Sequence, residues 1–323
     1  MNFLSQVFRN HTQSWTQAWN AFWFRPSRPE TLCLLRIAIG WMLFYCHIIW
    51  ALQLTNFLGD NAWVSNEMIQ HLHRLDSAWS YLWFISNPAL LWCHHLLMLI
   101  LALMVMLGVW TRFVTPLAWF MQLMYVHRLT GTLFGFDQIL TILLMYLMIA
   151  PSGARWSLDA WRRSKLSRDG SNALTRRQRF VYPGQAPSTA VTIATRLIQV
   201  HLCVIYLFGG ISKMRGEMWW DGTAMWFAVA NFEYQSLDLT WLAKYPILFS
   251  ALSNLTIFWE AFYPVLIWPR LTRPWVIAMA FAVHGGIALA LGMITFGTIM
   301  IVANCAFISS DWIAQLGEHH KIK

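Results

Sequence analysis

Charge is what this sequence lacks most: Asp, Glu, Lys and Arg make up 11% of its 323 residues, where a soluble domain carries roughly 25%. A surface that poor in charge cannot face water, which excludes an ordinary soluble core-and-surface domain. Cysteine is also sparse. Cys33, Cys46, Cys93, Cys203 and Cys305 all lie in apolar stretches without C-x-x-C spacing, so neither a disulfide framework nor a zinc site is indicated. Residues 1–24 lack the ordered basic start, apolar run and cleavage site of a secretory signal, so the start is expected to be retained. No repeat of about 20 to 50 residues and no Pro- or Ser-rich linker divides the chain, which leaves one membrane domain.

What is abundant is apolar surface, at 58% of residues, with 21 tryptophans. Indole rings favour the headgroup zone, where the ring and its N–H are both accommodated, so many tryptophans imply many membrane–water crossings. The net charge of +9 would suggest nucleic acid in a soluble protein, but the charges fall between hydrophobic runs and no nucleic-acid partner is expected.

Apolar runs of about 17 to 25 residues predict spans at Thr31–Thr55, Ala89–Leu107, Phe113–Thr130, Leu133–Ala150, Ser188–Ile211 and Pro246–Trp268. The stretch Pro274–Ser309 is too long for one crossing at about 1.5 Å per residue and is divided near Gly292, the alternative being one span with a re-entrant segment. The predicted fold class is all-α, a polytopic bundle of about eight transmembrane helices over 31–309, with a tail at 310–323. In segment 1–30, Leu4, Val7, Phe8, Trp15, Trp19, Phe22 and Trp23 recur at roughly helical spacing. That pattern suits an amphipathic helix lying in the interface, a disordered tail being the alternative.

The loop 151–187 carries Arg155, Arg162, Arg163, Lys165, Arg168, Arg176, Arg177 and Arg179 against Asp159 and Asp169. Cytoplasmic placement of this loop fixes the other loops by alternation and sets both termini in the cytoplasm of a multi-pass protein of the cell (inner) membrane. Arg9, Arg25, Arg28, Arg112, Arg270, Arg273, Lys321 and Lys323 then join it inside, whereas Arg74, Arg128, Lys213, Arg215 and Lys244 fall outside. Orientation alone accounts for the basic loop without a role in binding acidic lipid.

Charges at bilayer depth need a partner, a cavity or water. Arg36, Arg196 and Glu260 all count toward the inner face, which predicts a structural ion cluster joining three helices. A second group counts toward the outer face: His127, Asp137, Gln138, Lys213 and His284. Arg196, Gln199, Cys203, Tyr206, Gly210 and Lys213 advance by three or four residues, a polar stripe leading outward to the lysine. A lysine in a dry pocket loses solvation of its ammonium form and can serve as a base. The bland readings are a snorkelling anchor for Lys213 and ordinary interhelical hydrogen bonds for the histidines. His71-x-His73 and His94-His95 lack a third ligand at regular spacing, so no metal is predicted.

The run Tyr206-Leu-Phe-Gly-Gly-Ile-Ser-Lys213-Met, followed by Trp219-Trp220-Asp221-Gly222-Thr223-Ala224, resembles the signature of the HTTM family, which includes the vitamin K-dependent γ-glutamyl carboxylase. Arg36-Ile-Ala-Ile-Gly40, Trp156-Ser-Leu-Asp159, and His284 with Phe296 and Gly297 look like further family stretches in the same order, over residues 25–312. The resemblance implies that Lys213 corresponds to the base that deprotonates a vitamin K-type hydroquinone, with His284 and His127 as further catalytic candidates. Asp137, Gln138, Tyr206, Trp220 and Asp221 become candidates for substrate contact. The carboxylase continues into a lumenal domain that handles its protein substrate, and the resemblance covers its membrane part only. This sequence also reads Ser212-Lys213-Met214-Arg215 where the carboxylase has Lys-Lys-Leu-Asp, so an acidic neighbour is lost.

The leading expectation is a membrane enzyme, or the membrane subunit of one, acting on a lipid-soluble quinone-like or lipid substrate at an outward-facing site. The other reading is a non-catalytic partner for maturation or export of a secreted product, sensitive to loop changes near Trp79 and Trp83, or a small carrier.

Overall fold

In the computed structural model, which describes residues 3–168 and 174–319, every regular element among the described residues is helical. Asp169 of the basic loop and Lys321 and Lys323 of the tail lie outside them. Helix α1 (Phe3–Phe24) leads into α2 (Glu30–Ala51), and the short α3 (Leu54–Phe57) and α4 (Asn66–Leu72) follow. Then come α5 (Pro88–Leu107), α6 (Thr111–Arg128) and α7 (Gly135–Leu147). The basic loop holds α8 (Leu158–Arg168) and α9 (Arg176–Val181). Helix α10 (Thr189–Met214) precedes the short α11 (Glu217–Trp220) and α12 (Ala224–Ala230), and the chain continues through α13 (Pro246–Leu266), α14 (Arg273–Ala290), α15 (Ile294–Asn304) and α16 (Ser310–His319).

Local chemistry sets several of these boundaries. Asn87 accepts from the amide of Ala89 while Pro88 opens α5, a position where its missing N–H is no loss. Ser188 caps α10 through Val191 N, and the same residue exchanges backbone hydrogen bonds with Ser27, fastening the start of α10 to the end of α1. Between α14 and α15 the helix breaks at Gly292, whose φ of 67° lies in the left-handed region that a side chain resists. The break falls where the sequence pattern divides this stretch.

Four helices, α2, α5, α10 and α14, are each long and apolar enough to cross a membrane by length and composition. Helices α7 and α15, with 13 and 11 residues, are apolar but shorter than the roughly 20 residues a bilayer core requires.

The tightest helix pairings are α10 with α13, α2 with α5, and α14 with α15. Glycine permits the first two. A Cβ on Gly210 would stand 2.6 Å from the backbone nitrogen of Ala261, and one on Gly40 would stand 2.5 Å from that of Met106. Bare backbone therefore lets these helices approach closely, as small residues do wherever helices associate without a hydrophobic driving force between them. The core, with Leu32, Leu43, Met98, Leu140, Leu144 and Ile299 sealed inside, is matched by an equally apolar exterior that includes Trp41, Leu96, Ile100, Phe208, Phe258 and Phe262. Helices apolar on both faces differ from the one-sided amphipathic helices of a soluble domain.

Candidate functional site

Helices α10, α12, α13, α14 and α15 enclose a cavity of about 600 Å³, within the range of small-molecule sites. Its walls are chiefly Leu, Ile, Val, Met and Phe, and its few polar side chains include Lys213, Glu260, His284, Tyr206 and Thr256. The amine of Lys213 donates to Glu260 Oε2 at 2.6 Å and lies 5.2 Å from the ring of Trp219. Gly209 makes room for this pair, since a Cβ there would come within 3.0 Å of Glu260 Oε2 and 3.8 Å of Lys213 Nζ. A helical side chain leans back over the preceding turn, which is why the amine of residue 213 is found beside residue 209.

His284, on α14, is 4% exposed. Its Nε2 lies 2.8 Å from the hydroxyl of Tyr206 on α10. Tyr206 in turn receives a hydrogen bond from Asn304 Nδ2 at 2.8 Å, and Asn304 Oδ1 accepts from the hydroxyl of Tyr263 on α13 at 2.7 Å. Tyr206 and Tyr263 stack with centroids 4.0 Å apart, and Trp259 meets both edge-on.

The structure thus brings Lys213, His284 and Tyr206 to one cavity and leaves the other residues singled out in the sequence elsewhere. His127 is absent from the cavity lining: its Nδ1 bonds the backbone of Trp79 at 2.8 Å, and its carbonyl accepts from Trp83 Nε1. Trp83 is buried by that packing and is no loop-surface residue, whereas Trp79 remains exposed. Asp137 is buried and closes the first turn of α7 by accepting from Phe134 N, while Gln138 is exposed. Trp220 donates to Met214 O and packs against Phe258. Asp221 lines a separate depression beside Ser250 and Phe249, and the hydroxyl and amide of Thr223 hold its carboxyl below the usual range.

The expected cluster of Arg36, Arg196 and Glu260 does not form. Arg36, wholly buried, donates to the carbonyls of Ser152, Val105, Met106 and Trp156. It thereby satisfies the end of α5, where helical carbonyls lack amide partners and a cation is favoured. Arg196 donates to Phe22 O and Gln199 Oε1 and lies over the Phe22 ring. Backbone carbonyls and an aromatic face serve both guanidinium groups, so Glu260 is left for the lysine. The register of α13 on α10, with Gly210 against Ala261, sets Glu260 beside Lys213 instead.

Among features the sequence reading left unassigned, a second polar network joins α2, α5 and α6. Tyr81 bonds His94 Nε2 at 2.6 Å, and His94 and His95 both reach the hydroxyl of Tyr125, at 3.1 and 2.8 Å. His95 Nε2 also bonds His47 O, and His47 Nε2 bonds Gln122 Oε1. His73, of the other histidine pair, lies between Asp76 and Thr130 and stacks on Trp83.

Fold and cavity together define a helical protein with several bilayer-length helices and a half-buried amine beside a buried carboxylate and a buried imidazole in an apolar cavity. Comparison with protein-family models, with curated proteins and with solved structures finds no match to any of them.

Proposed function

We propose that this chain is a multi-pass membrane enzyme that binds a lipid-soluble molecule in the α10–α14 cavity and removes a proton from it with Lys213. The observation that carries the reading is the Lys213–Glu260 pair, 2.6 Å apart, in the wall of an apolar cavity that His284 also lines. A base must first part with its own proton. Glu260 is the group placed to take it, since a carboxylate and an ammonium in poorly solvated surroundings exchange a proton more readily than in water. The freed amine then accepts the substrate's proton, and the resulting ammonium stands beside the new anion, where weak screening strengthens the attraction.

A quinol-type substrate, the class implied by the HTTM resemblance, suits walls of this kind: the ring occupies apolar surface and its acidic O–H meets the amine. The resemblance of residues 206–224 belongs to this proposal, as do eight crossings, cytoplasmic termini and an outward-facing site. In that arrangement α6, α7, α13 and α15 complete the set begun by the four long apolar helices.

The test compares wild type with Lys213→Ala, both purified from membranes in lipid nanodiscs. Wild type is expected to retain a quinone or other lipid-soluble compound identifiable by mass spectrometry, and to exchange the quinol O–H proton with solvent. Lys213→Ala should keep its yield and monodispersity but lose the exchange. Equal behaviour of the two proteins refutes the assignment.

A further inference from the structure

At the end of the bundle where α6 begins and α7 finishes, a recess of about 320 Å³ opens between the first residues of α6, residues 148–151 and residues 179–184. Among the described residues its charged side chains are Arg112 and Arg179, with no carboxylate. Arg112 donates to Phe180 O at 3.2 Å with its guanidinium 3.8 Å from the centre of the Phe180 ring, and Arg179 Nε donates to Leu174 O at 2.7 Å. Both side chains are otherwise exposed, and most of their donors stay open. Neither forms an ion pair among the described residues. Asp159, the carboxylate that reaches Thr111, is wholly buried and accepts from the amides of Trp110 and Thr111 and from the Thr111 hydroxyl. Arg155, by contrast, is matched by Glu30 and Gln185.

Two cations facing one recess repel each other, and an anion placed between them turns that repulsion into attraction. The planar guanidinium fork suits phosphate oxygens, to which it can bond in pairs. The inward setting of positive loops accounts for the number of arginines in 151–187, but not for a recess shared by an arginine of α6 and one of α9. The surface around it is apolar: Phe113, Ile149 and Phe180 are exposed, with the rings of Phe113 and Phe180 5.9 Å apart. Trp110, Trp156 and Trp161, at the same end of the bundle, are exposed as well, as tryptophan is at the level of lipid headgroups. A Cβ on Gly184 would meet nothing within 4 Å, so the mouth is open. Inorganic phosphate would satisfy the arginines and leave the apolar rim bare.

We propose that this recess holds the phosphate of an anionic phospholipid, bound by Arg112 and Arg179, with the acyl chains leaving past Phe113 and Ile149. The proposal rests on the bilayer placement given above and is independent of the α10–α14 cavity and of Lys213. Such a lipid bridges α6 and α9, which the contact of Arg112 with Phe180 already joins.

The experiment uses the full chain in a non-ionic detergent, stripped of lipid, at a physiological salt concentration that screens exposed charges beyond about 8 Å. Equilibrium dialysis, corrected with empty micelles, compares dihexanoylphosphatidylglycerol with dihexanoylphosphatidylcholine, whose head carries the same phosphate but brings a cation toward the arginines. Wild type is expected to bind the anionic lipid about tenfold more tightly, the worth of one charge-assisted hydrogen bond. Arg112→Gln with Arg179→Gln should lose about a hundredfold in that affinity, two such bonds being removed. Arg176→Gln with Arg177→Gln takes the same charge from exposed positions of the same loop and should lose no more than about fivefold. Equal binding of the two lipids by wild type overturns the proposal without reliance on any variant. Equal losses in the two double variants overturn it as well, since the attraction would then belong to the loop at large. Glycerol 3-phosphate tests the other source of the anion: binding as tight as that of the lipid would assign the recess to a free phosphate ester instead. Failure of the bilayer placement reads differently, because the chain would leave cells without detergent, whereas failure of the lipid site leaves it detergent-dependent and indifferent to the headgroup.

Discussion

At the scale of single residues, the Lys213–Glu260 pair is both a structural tie between α10 and α13 and the proposed acid–base unit, and substitution separates these roles. Glu260→Gln leaves an ammonium without its counter-charge in apolar surroundings. The expected cost is about 2 kcal/mol, below the roughly 3–5 of a fully buried pair, because the Lys213 side chain is 24% exposed. The double variant Lys213→Met, Glu260→Leu removes both charges, and its thermal midpoint should return to within a few degrees of wild type while proton exchange stays absent. A double variant no more stable than Glu260→Gln alone would mean that the pair is needed for folding itself. The polar stripe on α10 that ends at Lys213 was legible in the sequence, because helical periodicity places Tyr206 and Lys213 on one side. The partners of Arg36 were not: they are main-chain carbonyls, which every residue possesses and no side-chain pattern advertises. Nor was Asn304, an amide in an apolar run whose role depends on three other helices.

Elements bring a different determinant, the distance between helix axes. Close approach of α10 and α13 at Gly210 fixes which residues of the two helices face each other, and with that the meeting of Lys213 and Glu260. Gly210→Val would thrust a side chain against the backbone of Ala261, which cannot rotate aside as a side chain would. Overpacking of this kind costs about 1–3 kcal/mol, so a lowered thermal midpoint in detergent is expected, together with loss of proton exchange as the pair drifts apart. Gly285→Ala, on α14, meets nothing within 4 Å and should leave both unchanged. An unaltered midpoint in Gly210→Val would show that the helices are held apart by something else. Helix identity was readable from apolar runs, and the interruption at Gly292 from the length of its stretch. The register of one helix on another was not, because it arises from the depth of interlocking surfaces rather than from either sequence alone.

For the whole molecule, the apolar exterior is the property that decides its solvent. Trp41, Leu96, Ile100, Phe208 and Phe258 stand on outer faces of helices whose inner faces are just as apolar, a pattern that water would penalise over hundreds of square ångströms. The proposed orientation is open to direct labelling. In a background with Cys93 and Cys305 replaced by serine, which leaves only the buried Cys33, Cys46 and Cys203, Glu233→Cys and Ser167→Cys each add one exposed thiol, in the 217–245 segment and in α8. A membrane-impermeant maleimide added to intact cells stripped of their outer barrier is expected to label position 233 and to reach position 167 only after permeabilisation. The opposite pattern would invert the molecule and put the cavity on the other side. The apolar, helical class was legible at this scale from composition alone, whereas the expected sidedness rests on the crowding of arginine in residues 151–187 and is what the labelling decides.

The chain of contacts from Tyr263 through Asn304 and Tyr206 to His284 draws one side chain from each of α13, α15, α10 and α14. Parting either of the outer two from the rest severs a link and strands a desolvated polar atom. Under the proposed function, sideways entry from the lipid past these helices would be a discrete unlatching rather than gradual breathing, and a visitor whose oxygen could replace the broken link would lower the threshold for its own admission.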